Sequence, residues 1–136
     1  MKKSIDKKIL EWSDLMNQLA GMEKLEYIIE LGRRLTPLKK EYKLESFRIH
    51  GCASNLWVAP EYLKDSLKLH ADADAFVTKG TAYIVLDILN EQSYADIKKI
   101  TLEDFQSLGI REILTPQRQN GLGSLILTIK KYANRI

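Results

Sequence analysis

A chain of 136 residues that is 45% hydrophobic has the size and apolar content of one domain around one core, so a single domain over residues 1–136 is expected. Lys and Arg number 21 against 18 Asp and Glu, and the resulting +3 is too small and too scattered to mark a nucleic-acid partner, while no apolar run is long enough to span a membrane. One cysteine excludes an internal disulfide, and one cysteine with two histidines is too few soft ligands for a structural zinc site; no metal or cofactor is expected, and a cytoplasmic, reducing setting without an export leader fits.

In chain order, Ile5, Ile9, Trp12, Leu15, Met16 and Leu19 recur at three-to-four spacing and predict an amphipathic helix ended by Gly21. Met22, Leu25, Ile28, Ile29, Leu31 and Leu35 predict a second, stopped by Pro37, and the two are expected to form a helical hairpin. From Leu44 to Asp72 the period shortens. Phe47 and Ile49, the run Leu56 to Ala59, and Leu67 with Leu69 predict three short antiparallel strands, with Gly51, Cys52, Ala53 and Ser54 on the loop between the first two. Asp74 to Leu89 is apolar on several faces and predicts a buried helix, with Asp74 its natural N-cap and Gly80 a point of close packing. Ser93 with Asp96 and Thr101 with Asp104 open short helical segments, Gly109 closes the second, and Thr115-Pro116 launches a last helix. The expected fold class is α+β, a small antiparallel three-stranded sheet with helices packed on one face.

A lone cysteine is either core filler or nucleophile, and thiolate content and access decide which. Around Cys52 the neighbours favour chemistry: Gly51 removes a side chain on one side, and Ala53 and Ser54 keep the other side open. A Cys-His hydrolase is the rival chemistry. His50 and His70 are its only imidazoles, His50 reads more simply as a surface histidine, and no oxyanion-hole glycine motif accompanies either. The pairs Arg33-Arg34, Lys39-Lys40, Lys98-Lys99 and Lys130-Lys131 lack interleaved aromatics and read as solvated helix ends rather than a nucleic-acid surface.

Three segments, Gly51-Cys52-Ala53-Ser54-Asn55-Leu56-Trp57-Val58, Asp72-Ala73-Asp74-Ala75-Phe76-Val77-Thr78-Lys79-Gly80 and Leu114-Thr115-Pro116-Gln117-Arg118-Gln119-Asn120-Gly121-Leu122, resemble in order and spacing the signature blocks of the SufE family and its CsdE paralogues. Upstream, the segment from Tyr27 to Leu35 is similar to the family's second helix, so the likeness covers nearly the whole chain. The resemblance implies a fold shared with IscU-type scaffolds, with the reactive cysteine on a loop at the sheet edge. It implies a pyridoxal-phosphate-dependent cysteine desulfurase (SufS- or CsdA-like) as sulfur donor and a SufBCD-like iron-sulfur assembly scaffold as acceptor. In that reading the chain is a monomer or weak homodimer whose Cys52 carries a persulfide, and a CsdE-like carrier for another sulfur pathway is the alternative. Ala53 and Asn55 stand where the family commonly has glutamines, and Ala73 where a serine is commoner.

Under this reading Cys52 is the reacting residue, and Gly51, Ser54, Trp57, Asp72, Asp74 and Arg118 support the loop or meet a partner. The loop is expected to rest with its sulfur turned inward and to evert when the donor docks, Gly51 absorbing the backbone change. Leu56, Trp57 and Val58 are expected to shelter the persulfide, and Arg118 to stabilise anionic sulfur or contact the donor.

Overall fold

Residues 2–52 and 54–136 are described by the computed structural model. Ser4 caps the first helix, α1 (Ile5–Asn17), by accepting the Lys7 N–H. Gly21, instead of merely ending α1, is the first residue of α2 (Gly21–Arg34), which stops before Leu35 and Pro37. The two helices are not a hairpin: α1 lies mainly against the chain at 102–108 and the third helix, and α2 mainly against the third helix.

After α2 come two single 3-10 turns, Lys40–Tyr42 and Glu45–Phe47, the second where the strand through Phe47 and Ile49 was expected to begin. The Glu45 carboxylate accepts two hydrogen bonds from the Arg48 guanidinium three residues on, at 2.9 Å each, and this pair favours a helical turn over extension. The expected strand survives as an Arg48–Trp57 bridge and an Ile49 N–H donated to the Leu56 carbonyl.

The sheet is built by β1 (Leu56–Tyr62) and β2 (Ser66–Ala73), antiparallel with Val58 opposite Ala71. Chain reversal through α3 (Phe76–Leu89) brings β3 (Gln92–Ser93) onto the other edge of β2, giving the order β1-β2-β3. This third strand was not legible in the sequence. It is two residues long, and Glu91, at φ +60°, and the Asn90 side chain do much of the edge pairing by bonding Leu67 and Leu69.

Ser93 then caps α4 (Tyr94–Lys98), a Thr101–Asp104 capping box opens a 3-10 helix at Leu102–Leu108, and left-handed Gly109 ends it. After the short turn Arg111–Ile113, Thr115 and Pro116 start α5 (Pro116–Asn134) as expected. The fold is α+β. Leu56 and Val58 with Ala73, Ala71, Leu69 and Leu67 form the sheet face turned to α3 and α5, and the Tyr132 hydroxyl donates to the Val58 carbonyl at 2.8 Å. The opposite face carries Trp57, Asp72, His70, Glu61 and Lys68.

The tightest joint is the crossing of α2 and α3. A β-carbon on Gly80 would overlap the backbone carbonyl of Ile28, and one on Gly32 would overlap the carbonyl of Phe76, so the helices meet backbone to backbone. Gly80 was expected to mark close packing; its counterpart Gly32 was not.

Asp87 joins α1 to α3 by accepting from Lys8 Nζ at 2.9 Å and Trp12 Nε1 at 2.8 Å on one oxygen. Burial pushes this carboxyl up, but the two hydrogen bonds outweigh it and hold it below the usual carboxylate range. A group depressed in the folded state stabilises above its unfolded value and loses that contribution as pH falls through its folded one. Asp87→Asn is therefore expected to cost about 1 kcal/mol at neutral pH, a figure discounted because the side chain is 36% exposed, and the gap should close below about pH 4 in melts followed by circular dichroism.

Candidate functional site

The loop carrying Cys52 is closed at its base by the 2.7 Å bond from Ile49 N–H to the Leu56 carbonyl. Its C-terminal half is stapled to the start of α3. The Asn55 amide donates to the Asp74 carboxylate at 2.7 Å, the Asp74 N–H donates to the Asn55 carbonyl at 3.1 Å, and the Ser54 and Thr78 hydroxyls share a hydrogen bond at 3.0 Å. Asp74 is thus a loop anchor and not the expected helix cap, which is Ala75. On the other side of the cysteine, Gly51 sits at φ +84° with open space where a side chain would be. One half of the loop is fixed by these bonds, and the other passes through a left-handed glycine with no neighbour among the described residues at its β-carbon position.

Cys52 is half-buried and faces inward. A β-carbon on Gly121 would stand 2.6 Å from the Cys52 sulfur and 2.9 Å from its Cβ, so the bare second turn of α5 is the seat of the thiol. The sulfur also lies 4.0 Å from Ser54 Oγ. Thr115 fixes the start of this helix by accepting the Arg118 N–H, and Gln119 pins it by donating to the Arg111 and Leu114 carbonyls at 3.0 Å each. Arg118 is three residues before Gly121 and hence on the same helix face. Its Nε is buried and has no hydrogen-bond partner among the described residues. A guanidinium donor without such a partner, on the helix face that seats Cys52, suits an anion bound at that face.

Other expected site residues lie elsewhere. Trp57 and Asp72 pair across β1 and β2 on the far face of the sheet, where Lys43 Nζ sits 5.3 Å from the Trp57 ring centroid and 3.4 Å from the Asp72 carboxylate. Asp72 is 4% exposed and accepts the Leu38 and Ala73 N–H groups, so it braces the segment after α2. Leu56 and Val58 are core residues of the helix-covered face, and the seat of Cys52 is Gly121. His50 is exposed and its partners are Arg48 at 3.3 Å and Glu45 at 3.7 Å; His70 bonds Glu61 and stacks on Tyr42. Thr78 and Gly121 were overlooked, because a helical threonine and a glycine near a helix start read as ordinary packing until the loop is placed against them.

Beside Gly51 an open groove of about 490 Å³ runs between α5 and the 102–108 helix, floored by Phe105, Ile110, Leu122 and Ile126. Among the described residues no cluster of His, Cys, Asp and Glu is placed to hold a metal ion, and no helix is long and apolar enough to cross a membrane.

The SufE family model, described as an Fe-S metabolism associated domain, matches residues 11–133. The chain belongs to the SufE family. It is 31% identical over 128 residues to the uncharacterized SufE-like protein R01000 of Rhizobium meliloti (strain 1021), covering 90% of this chain and 85% of that one. It is also 31% identical over 111 residues to SufE-like protein 1, chloroplastic/mitochondrial, of Arabidopsis thaliana, covering 81% of this chain but only 30% of the plant protein. In fold it is similar to the solution structure of a hypothetical protein from Thermus thermophilus, with a TM-score of 0.78 over 94% of each chain at 19% identity. The SufE blocks seen in the sequence are the elements that meet here: the loop of Cys52, the start of α3 that anchors it, and the start of α5 that seats the sulfur.

Proposed function

We propose that this SufE-family chain is a sulfur carrier, taking sulfane sulfur from a pyridoxal-phosphate-dependent cysteine desulfurase onto Cys52 and delivering it to an iron-sulfur assembly scaffold of the SufBCD kind. The observation that supports this most is the seating of the Cys52 sulfur against Gly121, on a loop stapled at Ser54 and Asn55 and unhindered at Gly51. A carrier must present its sulfur to two proteins and shelter it between them, and this loop has a closed resting place and a turning point.

In the reaction the Cys52 thiolate attacks the terminal sulfur of the donor's cysteine persulfide. A new sulfur-sulfur bond forms on Cys52, the donor's sulfur-sulfur bond breaks, and the donor cysteine leaves as a thiolate; no external oxidant or reductant is consumed. Arg118, whose Nε is buried with no partner among the described residues, stabilises the negative charge on sulfur, and the groove beside Gly51 gives the donor a surface to approach. The loop turns back after transfer, and the persulfide is covered again.

Two measurements test this. Cys52→Ser should remove stimulation of the desulfurase altogether, read as sulfide or alanine release, while the variant's circular dichroism stays that of the parent. Alkylation of Cys52 in the free protein should be slow and should accelerate on adding desulfurase. Rapid alkylation of the free protein would remove the inward resting state from the proposal. The hydrolase alternative has less support, since the exposed His50 is engaged by Arg48 and Glu45.

A further inference from the structure

Thr78 and Thr81 sit one turn apart on α3, both buried, and use their hydroxyls differently. Thr81 donates back to the Thr78 carbonyl at 2.9 Å, the ordinary habit of a helical threonine. Thr78, only 4% exposed, instead reaches across to the Ser54 hydroxyl at 3.0 Å, and Ser54 in turn lies 4.0 Å from the Cys52 sulfur. The three groups form a chain leading from the buried face of α3 to the sulfur.

Either atom of each pair in this chain can be the donor, because each hydroxyl has one hydrogen to give and the thiol sulfur can donate or accept. A neutral thiol can serve this chain in either sense, giving its S–H to Ser54, whose O–H then points to Thr78, or accepting from Ser54. With an anionic sulfur, which can only accept, the Ser54 O–H must turn to the sulfur, and Ser54 then accepts from Thr78. This arrangement satisfies every group and places a charge-assisted hydrogen bond on the sulfur. Without the Thr78 hydroxyl, Ser54 has no other donor among the described residues when it serves the sulfur.

We propose that Thr78 is a positioning residue for Cys52, acting through Ser54 to hold the sulfur in its anionic, transferable form. The inference rests on the reading of Cys52 as the sulfur acceptor and adds to it a part for α3. The charged groups around the loop come from each neighbouring element. Arg118 on α5 favours the anion, as the chain of hydroxyls does. Asp74 at the start of α3 is taken up by Asn55, Lys79 by Asp72, and Arg48 and His50 before the loop by Glu45. The hydroxyl chain is therefore separable from them by substitution.

Because Cys52 is the only cysteine, its ionisation can be followed by ultraviolet thiolate absorbance, with Cys52→Ser as the blank. Thr78→Val keeps the side-chain shape and removes the proton, and should move the titration midpoint up by about half to one pH unit. Ser54→Ala should move it at least as far, and the double variant no further than Ser54→Ala alone, since Thr78 acts only through Ser54. Thr78→Ser, which keeps the hydroxyl but loses the methyl group, should restore the parent midpoint, which a packing role would not. An unmoved midpoint in Thr78→Val, additive shifts in the double variant, or failure of Thr78→Ser to rescue would each overturn the inference. Sulfur uptake, measured by intact mass on the same proteins, is independent: an unmoved midpoint with normal uptake removes the part of Thr78 and leaves the carrier reading intact. A moved midpoint without uptake in the parent removes the carrier reading and leaves the hydroxyl chain.

Discussion

Gly121→Ala should unseat the Cys52 sulfur and raise the alkylation rate of the free protein by about ten- to a hundredfold. The added β-carbon would stand 2.6 Å from the sulfur, closer than atoms tolerate, and one of the two must yield. Cys52 is the softer side, carried by a loop with unhindered Gly51, whereas α5 is held by Thr115, Gln119 and the buried Leu125 and Ile126. Overpacking typically costs about 1–3 kcal/mol, and about 1.4 kcal/mol is a factor of ten in the population of the open loop. The melting temperature should change little, because the loop and not the core moves. A lowered melting temperature with unchanged alkylation would mean that α5 gave way instead, contradicting the reading of Gly121 as the seat.

Gly80→Ala should act on the fold rather than the site. Its β-carbon would lie 2.7 Å from both the Ile28 carbonyl carbon and Ile28 Cγ2 and overlap the carbonyl oxygen, and a backbone carbonyl cannot step aside as a side-chain end can. Forcing α2 and α3 apart opens the packing around buried Ile28, Leu31 and Ile84, and the cost should exceed the gain of about 1 kcal/mol in helix propensity from Gly to Ala. We expect a net loss of about 2–3 kcal/mol and a melting temperature lower by about 10 °C. Gly21→Ala is the control: nothing lies within 4 Å of its β-carbon position, so the melt should be unchanged or slightly raised. Equal melts for the two variants would show that the helix crossing is looser than described.

Helix starts were the most legible part of the chain, because a cap is a local event. Ser93 with Asp96, Thr101 with Asp104 and Thr115 with Pro116 each set a boundary through side chains within three residues. The strand at Phe47 and Ile49 was only partly right because alternation says nothing of the Arg48–Glu45 pair that curls Glu45 to Phe47 into a turn. β3 went unseen because two residues leave no period, and its pairing depends on Asn90 and Glu91 being delivered to β2 by α3.

At the site, Cys52 and its small neighbours stood out from local sequence, and the family blocks drew attention to Arg118 and Asp74. What each does was not local information. Asp74 looked like a cap and proved to be the anchor of Asn55, while Asp72, paired with Trp57, turned out to brace the far face of the sheet. Gly121 and Thr78 acquire meaning only when the loop at residue 52 is laid against residues 69 and 26 positions further along the chain.

Acceptance of sulfur by Cys52 is tested most directly by the intact mass of the protein after incubation with a cysteine desulfurase and free cysteine, with Cys52→Ser alongside. The expected result is a gain of one sulfur atom that is reversed by reductant and absent from the variant. No gain with desulfurases shown to be active, or an equal gain in Cys52→Ser, would contradict it.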